Sequence, residues 1–222
     1  MIPIQSLKEE IMHFIRNSDV ISTTVRGVTT VTDEEFFADA GQTTYTPDNL
    51  QIKNVRELTV NGTNLQYLKD FTINWQTSVI TFLTALTLND DVLITYDYGT
   101  DKIFPDYPRT DLTLSSFPRI AVELTSGSTE PLGLGGINQI TDLLITIFLW
   151  VPVNKDSTAN SISGNSDLNN IMSNIRDSLR LNSKNFYSFQ YIRPMSLGPI
   201  IKGTNDKILQ ISNDFQVKFL IE

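Results

Sequence analysis

The chain has 222 residues, a net charge of −8, 40% hydrophobic and 19% charged residues, a balance that supports one large globular domain or two small ones. It has no cysteine, which excludes disulfides, thiolate metal sites and cysteine nucleophiles. Its acidic character argues against free nucleic-acid binding, which needs clustered Lys and Arg to neutralise phosphates, although an acidic wall lets DNA pass without sticking. Met1 to Glu10 carry two acids and no apolar run, so no signal peptide is expected. The longest apolar stretch, Leu143 to Val153, spans about 11 residues where a bilayer needs roughly 20. The expectation is a soluble chain, free in a cell or built into a particle there.

The first segment reads as a helix. Ile4, Leu7, Ile11, Phe14 and Ile15 recur at three- and four-residue steps and share a face. Ser6 and Glu9 form a capping-box pattern near its start, and Asn17-Ser18-Asp19 reads as its stop. From Val20 to Val31, Thr, Val and Ile dominate, which suits strands.

Asp33 to Tyr98 reads as a compact all-β unit. Pro47-Asp48-Asn49 marks a turn. Val55, Leu58 and Val60 fall near one face, and Asn61-Gly62 is a strong hairpin signal before a return strand at Leu65 to Tyr67. Phe71, Ile73 and Trp75 alternate, as do Val79, Thr81 and Leu83. Asn89-Asp90-Asp91 turns the chain into a strand from Val92 to Tyr98. Strands this short and closely spaced predict a small sandwich or barrel.

Gly99 to Pro118 is polar, holds three prolines and reads as a connector. Arg119 to Thr125 is a strand, Ser126 to Ile137 a glycine-rich loop or hairpin tip. Gln139 to Val151 is a long strand whose near-continuous apolar run predicts cover on both faces. A loop of small polar residues leads to a second helix at Ser166 to Leu181, with Leu168, Ile171, Met172, Ile175 and Leu179 on one face and Ser166 and Asp167 as caps. Two or three strands close the chain: Phe186 to Arg193, Ile208 to Ser212 and Asp214 to Ile221. The expected fold class is α+β. A mixed β-sheet packed against two helices is built from residues 1–27 and 103–222, and a small all-β sandwich or barrel, 28–102, is inserted between them.

Signals for catalysis are thin. The lone histidine, His13, sits in a helix among apolar residues, and no serine lies in a nucleophile elbow. Gly133-Leu134-Gly135-Gly136 lacks the Lys-Ser/Thr of a phosphate loop and precedes a strand instead of opening a helix. Asp90 and Asp91, with Asp97 and Asp101 nearby, are candidates for a hard cation, but their spacing matches no EF-hand and adjacent turn acids ordinarily stabilise the turn. Tyr96, Tyr98, Phe104 and Tyr107 gather near the same place, as core residues or as a ligand platform. Arg176 and Arg180 lie four apart, off the apolar face of the second helix. They form either a solvated face or a contact to acids on a neighbouring subunit. No enzyme activity and no cofactor are expected.

The β unit resembles a small module common in virion proteins of tailed phages. The matching residues run from Glu35 to Tyr45 (EFFADAGQTTY), through Val60-Asn61-Gly62, Lys69 to Ile73, Val79 to Phe82 and Asp90 to Tyr96. The remainder resembles the tail terminator family in its order of elements: helix, strand, long hairpin, strand, helix, strands. That resemblance implies a structural protein of the virion, located in the tail or neck and assembled in the host cytoplasm. It implies a hexameric ring of identical subunits that caps the tail tube protein and joins it to the head–tail connector. DNA would be met only in passage through the lumen, and a membrane not at all. It makes the segment with Gly127, Gly133, Gly135 and Gly136 an arm reaching a neighbour or the lumen. A head–tail stopper or a fibre adaptor remains open beside it, as does a carbohydrate- or calcium-binding module.

Overall fold

A computed structural model of the chain describes residues 4–105, 117–131, 139–154, 162–183, 185–203 and 207–221. These residues form a mostly β structure with three helices. The chain divides into two compact units, one from Met1–Ile21 and Lys102–Glu222, the other from Ser22–Asp101.

Helix α1 (Ile4–Asn17) buries Leu7, Ile11, Met12 and Ile15 on one face, following the rhythm of its sequence. Ser6 lies inside this helix and not at its cap, because the helix already includes Ile4; Glu9 accepts from Gln5 Nε2 at 3.0 Å. Two cations on α1 are buried. Lys8 Nζ donates to the Pro105 carbonyl (3.0 Å) and Arg16 to the Ile103 carbonyl (3.1 Å). The helix stops where Ser18 Oγ donates to the Ile15 carbonyl and Asp19 turns to a φ of 48°.

The second unit opens on α2 (Thr23–Arg26), a single turn inside the stretch whose β-branched residues predicted a strand. Ser22 caps its start by accepting from the Val25 amide, and Gly27, at a φ of 75°, ends it. Cap and left-handed glycine together outweigh a β propensity that is only a context-dependent preference. Residues 22–27 therefore belong with the β unit rather than with α1. Strands β1 (Val28–Phe37), β2 (Thr44–Tyr45), β3 (Ile52–Val60), β4 (Thr63–Asn64), β5 (Phe71–Asn74), β6 (Val79–Phe82) and β7 (Asp91–Gly99) follow. They make two antiparallel sheets, ordered β1-β7-β3-β4 and β2-β6-β5. Asn61 and Gly62, both at positive φ, form the β3–β4 turn. The return strand is β4, two residues ahead of the expected Leu65 to Tyr67. Ile52, Leu58, Val92, Ile94 and Tyr96 from the first sheet share one core with Phe71, Ile73, Ile80 and Phe82 from the second.

The first unit resumes with β8 (Ile103–Phe104), within the stretch that reads as a connector; it pairs in parallel with β9 (Arg119–Pro131). Strand β10 (Gln139–Pro152) completes a long hairpin with β9, so the expected glycine-rich loop is still strand as far as Pro131. Helix α3 (Gly164–Leu181) buries the five apolar residues named from its sequence. Its start lies before Ser166, and Asp167 accepts from the Ser163 amide at 2.8 Å. Strands β11 (Tyr191–Leu197), β12 (Ile201–Lys202) and β13 (Ile208–Ile221) end the chain. The sheet runs β11-β13-β10-β9-β8, with β12 beside the other end of β13.

Two strands expected at the C-terminus are thus one. Another begins late: the stretch at Phe186 is strand only from Tyr191. Before it, the amides of Tyr187 and Ser188 and the Ser188 hydroxyl all donate to the buried Glu10 carboxylate, while Phe186 stacks on Phe189 and meets Phe14. That carboxylate removes the backbone donors a strand would use. Strand β10 is buried on both faces from Ile145 to Pro152, apart from a half-buried Phe148. Ile145, Ile147, Leu149 and Val151 alternate with residues such as Trp150, which packs on Phe117 and Ala121.

Candidate interaction surface

The β unit keeps its polar chemistry inside. Arg26 is fully buried; its Nε donates to Asp101 at 2.9 Å and one terminal nitrogen to Asp97 at 3.2 Å. Asp97 also accepts from Arg56 (2.7 Å) and Thr30 (2.7 Å). Glu34 accepts from two phenols, Tyr45 (2.8 Å) and Tyr96 (2.6 Å). Burial, then the Glu34 carboxylate, push both phenols above their ordinary pKa, since ionisation would place like charges together.

Of the acids considered for a cation, Asp90, Asp97 and Asp101 have protein partners, while one buried Asp91 carboxylate oxygen has none among the described residues. Asp90 accepts from the Thr87 amide and hydroxyl and from Asn61, all at 2.7 Å. Those hydrogen bonds, the Thr87 hydroxyl first, hold its carboxyl below the usual range. Asp97 and Asp101 bind arginine. Among the described residues, no group of three or more His, Asp or Glu is arranged to hold a metal. Of the aromatic set, Tyr96 is core, Tyr98 packs on that core and Phe104 lies 4.4 Å under the Arg119 guanidinium; Tyr107 lies outside the described residues. His13 pairs with Asn17 at 3.1 Å along α1.

The mixed unit leaves polar and apolar groups exposed side by side. An open groove of about 410 Å³ is lined by Arg176, Asp177 and Arg180 of α3, by Pro194 to Leu197 of β11 and by Asn213 of β13. The Nε atoms of Arg176 and Arg180 each lie 3.7 Å from one Asp177 oxygen, so one carboxylate faces two guanidinium groups. Asn213 is 1% exposed, and its Nδ2 has no hydrogen-bond partner among the described residues. Its neighbour Asp214 is engaged, accepting from Ser196 (2.7 Å) and Thr146 (2.8 Å).

Strand β11 ends the sheet order, so among the described residues no strand pairs with its outer edge. Along the segment from β11 to β12, Met195 (53%), Leu197 (54%), Ile200 (38%) and Ile201 (52%) are exposed. An exposed apolar edge strand is the part of a sheet most ready to pair with another chain.

The structure gathers Arg176 and Arg180 into this groove. Gly127 lies elsewhere, on the β9–β10 hairpin opposite Leu143. There Thr125 to Thr129 are all exposed, and a Cβ at position 127 would stand 2.7 Å from a Leu143 methyl. Gly133, Gly135 and Gly136 lie outside the described residues. Sequence reasoning missed Met195, Leu197 and Asn213. A signal for Asn213 existed: Leu209, Ile211, Phe215 and Val217 are buried on one face of β13, and the asparagine takes the position between them.

No protein-family model matches the chain, and no curated protein matches it. No helix among the described residues is long and apolar enough to cross a membrane.

Proposed function

We propose that the protein is a structural component of a tailed-virus particle: the ring-forming terminator that caps the tail tube and joins it to the head–tail connector. The observation that carries this reading is the exposed edge from β11 to β12, with four apolar residues beside an arginine-lined groove. Such an edge is an assembly surface waiting for a partner. A terminator must grip the tail tube or the connector, and this edge is read as that contact, while the ring itself closes through other head-to-tail surfaces. The polar, exposed arm of the β9–β10 hairpin is one of those ring surfaces. The order of elements supports the same reading: α1, a long hairpin, α3 and closing strands, with the β unit inserted after α1. In this reading the mixed unit is tail-terminator-like and Ser22–Asp101 is a small virion sandwich. The net charge of −8 suits a lumen that DNA crosses without adhering.

Negative-stain imaging with mass photometry on the same sample tests the proposal. Six-fold rings with a central hole are the expected result, formed either free or on added tail tubes. A protein that stays monomeric and never attaches to tube ends would overturn it. Gold labelling that placed the chain at the baseplate of intact particles would give the role to a fibre adaptor.

A further inference from the structure

We propose that the groove lined by α3, β11 and Asn213 docks an extended peptide segment of a partner protein, one that carries a single carboxylate flanked by apolar residues. The inference rests on reading this face as an assembly surface and does not require the ring itself.

Three unmet features of the groove point to one occupant. The first is charge. Among the described residues Arg176 and Arg180 share only Asp177, at 3.7 Å from each Nε, longer than a hydrogen bond. Two cations and one anion leave a single positive charge, which a carboxylate balances and a phosphate dianion overshoots. Arginine also suits a carboxylate geometrically, because its fork of donors matches two oxygens.

The second is a donor. Asn213 Nδ2 is buried and donates to nothing among the described residues. Buried donors in folded proteins are almost always paired, so this one marks a place for an acceptor. The third is the edge. The amides of Gln190 and Gly198 donate inward to β13 carbonyls, at 2.8 and 2.9 Å, while the outer side of β11 meets no strand among the described residues. Met195 and Leu197 stand half exposed beside the groove. A peptide added as a strand would hydrogen-bond that edge, lay alternate apolar side chains on Met195 and Leu197, and direct its carboxylate to the arginines and Asn213. A free anion would satisfy the first two features but not the third.

The test is a titration of the full ¹⁵N-labelled chain, followed through the side-chain amide signals of Asn213. The probes are the blocked peptide VTVTETVTV, whose Glu and Val side chains share one face of the strand, the same peptide with Gln in place of Glu, and inorganic phosphate. The Glu peptide is expected to move the Asn213 signals to saturation, with the Gln peptide at least ~10-fold weaker. R176Q/R180Q, at half-exposed positions, should abolish the preference for Glu. Leu197→Asn should weaken both peptides together. Equal binding of the two peptides would overturn the proposal, as would phosphate producing the same saturating shift. Changes at Asn213 on raising the protein concentration alone would place a second copy in the groove and overturn it too. Rings without peptide binding would leave the terminator reading standing and remove this one; peptide binding without rings would do the reverse.

Discussion

The two units treat their polar groups in opposite ways. In Ser22–Asp101, charge is turned inward: Arg26 lies between Asp97 and Asp101, and Glu34 is held by two phenols. In the mixed unit, two arginines, a buried amide and a row of apolar side chains are left open along β11 and α3. The β unit also has a buried Arg26 nitrogen without a partner among the described residues and exposed apolar side chains such as Phe37 and Leu88. What sets the mixed unit apart is that its unpaired donor, its arginines and its apolar edge lie along one groove. On the proposed function, that coincidence places assembly in the mixed unit.

The sharpest way to break that comparison is Arg26→Met. It removes the buried arginine shared by Asp97 and Asp101, and removing one partner from a buried ion pair costs about 3–5 kcal/mol. The β unit should lose that stability in a denaturant melt. Retention of full stability would mean the network is dispensable. Gly99→Ala attacks the same unit through its backbone. Gly99 sits at a φ of 130°, and an added Cβ would come 2.7 Å from the Gly27 carbonyl oxygen. A loss of about 1–3 kcal/mol is expected, seen as a lowered denaturation midpoint with an unchanged slope.

In the mixed unit the sign reverses. Asn213→Leu removes a buried donor without a partner and should stabilise the free protein by about 1 kcal/mol, while weakening the peptide binding proposed for the groove. A destabilised variant would show that Asn213 belongs to the resting fold. The smallest change is expected from R176Q/R180Q. Both side chains are half exposed and their Asp177 contacts are long, so the melting curve should move by no more than about 0.5 kcal/mol. A larger fall would make the pair structural and end its claim to be a docking feature.

Much of the fold was legible because periodicity is local. The face of α3 and the apolar run of β10 follow from the spacing of apolar residues, and the Asn61-Gly62 turn from backbone freedom at positive φ. The misreadings have local causes as well. A capped turn hid among β-branched residues at Thr23–Arg26, and Asn213 looked like a break between strands because a polar residue interrupts the apolar face of β13. The Phe186 stretch looked like strand until its amides met Glu10, roughly 180 residues earlier in the chain.

Arg176 and Arg180 were visible in the sequence as a pair on one helix, since four residues make about one turn. That they face Met195, Leu197 and Asn213 was not visible, because the residues that meet them come from strands whose order in the sheet follows no chain order. The sequence by itself determined the two long helices and most of the strands, the apolar faces they bury, and that no cysteine chemistry is available. Only the tertiary structure decided which strand lies at the edge, which buried charges find partners and which donors, Asn213 Nδ2 among them, are left without one. These are properties of pairs distant in the chain, and they depend on packing that one-dimensional spacing does not encode.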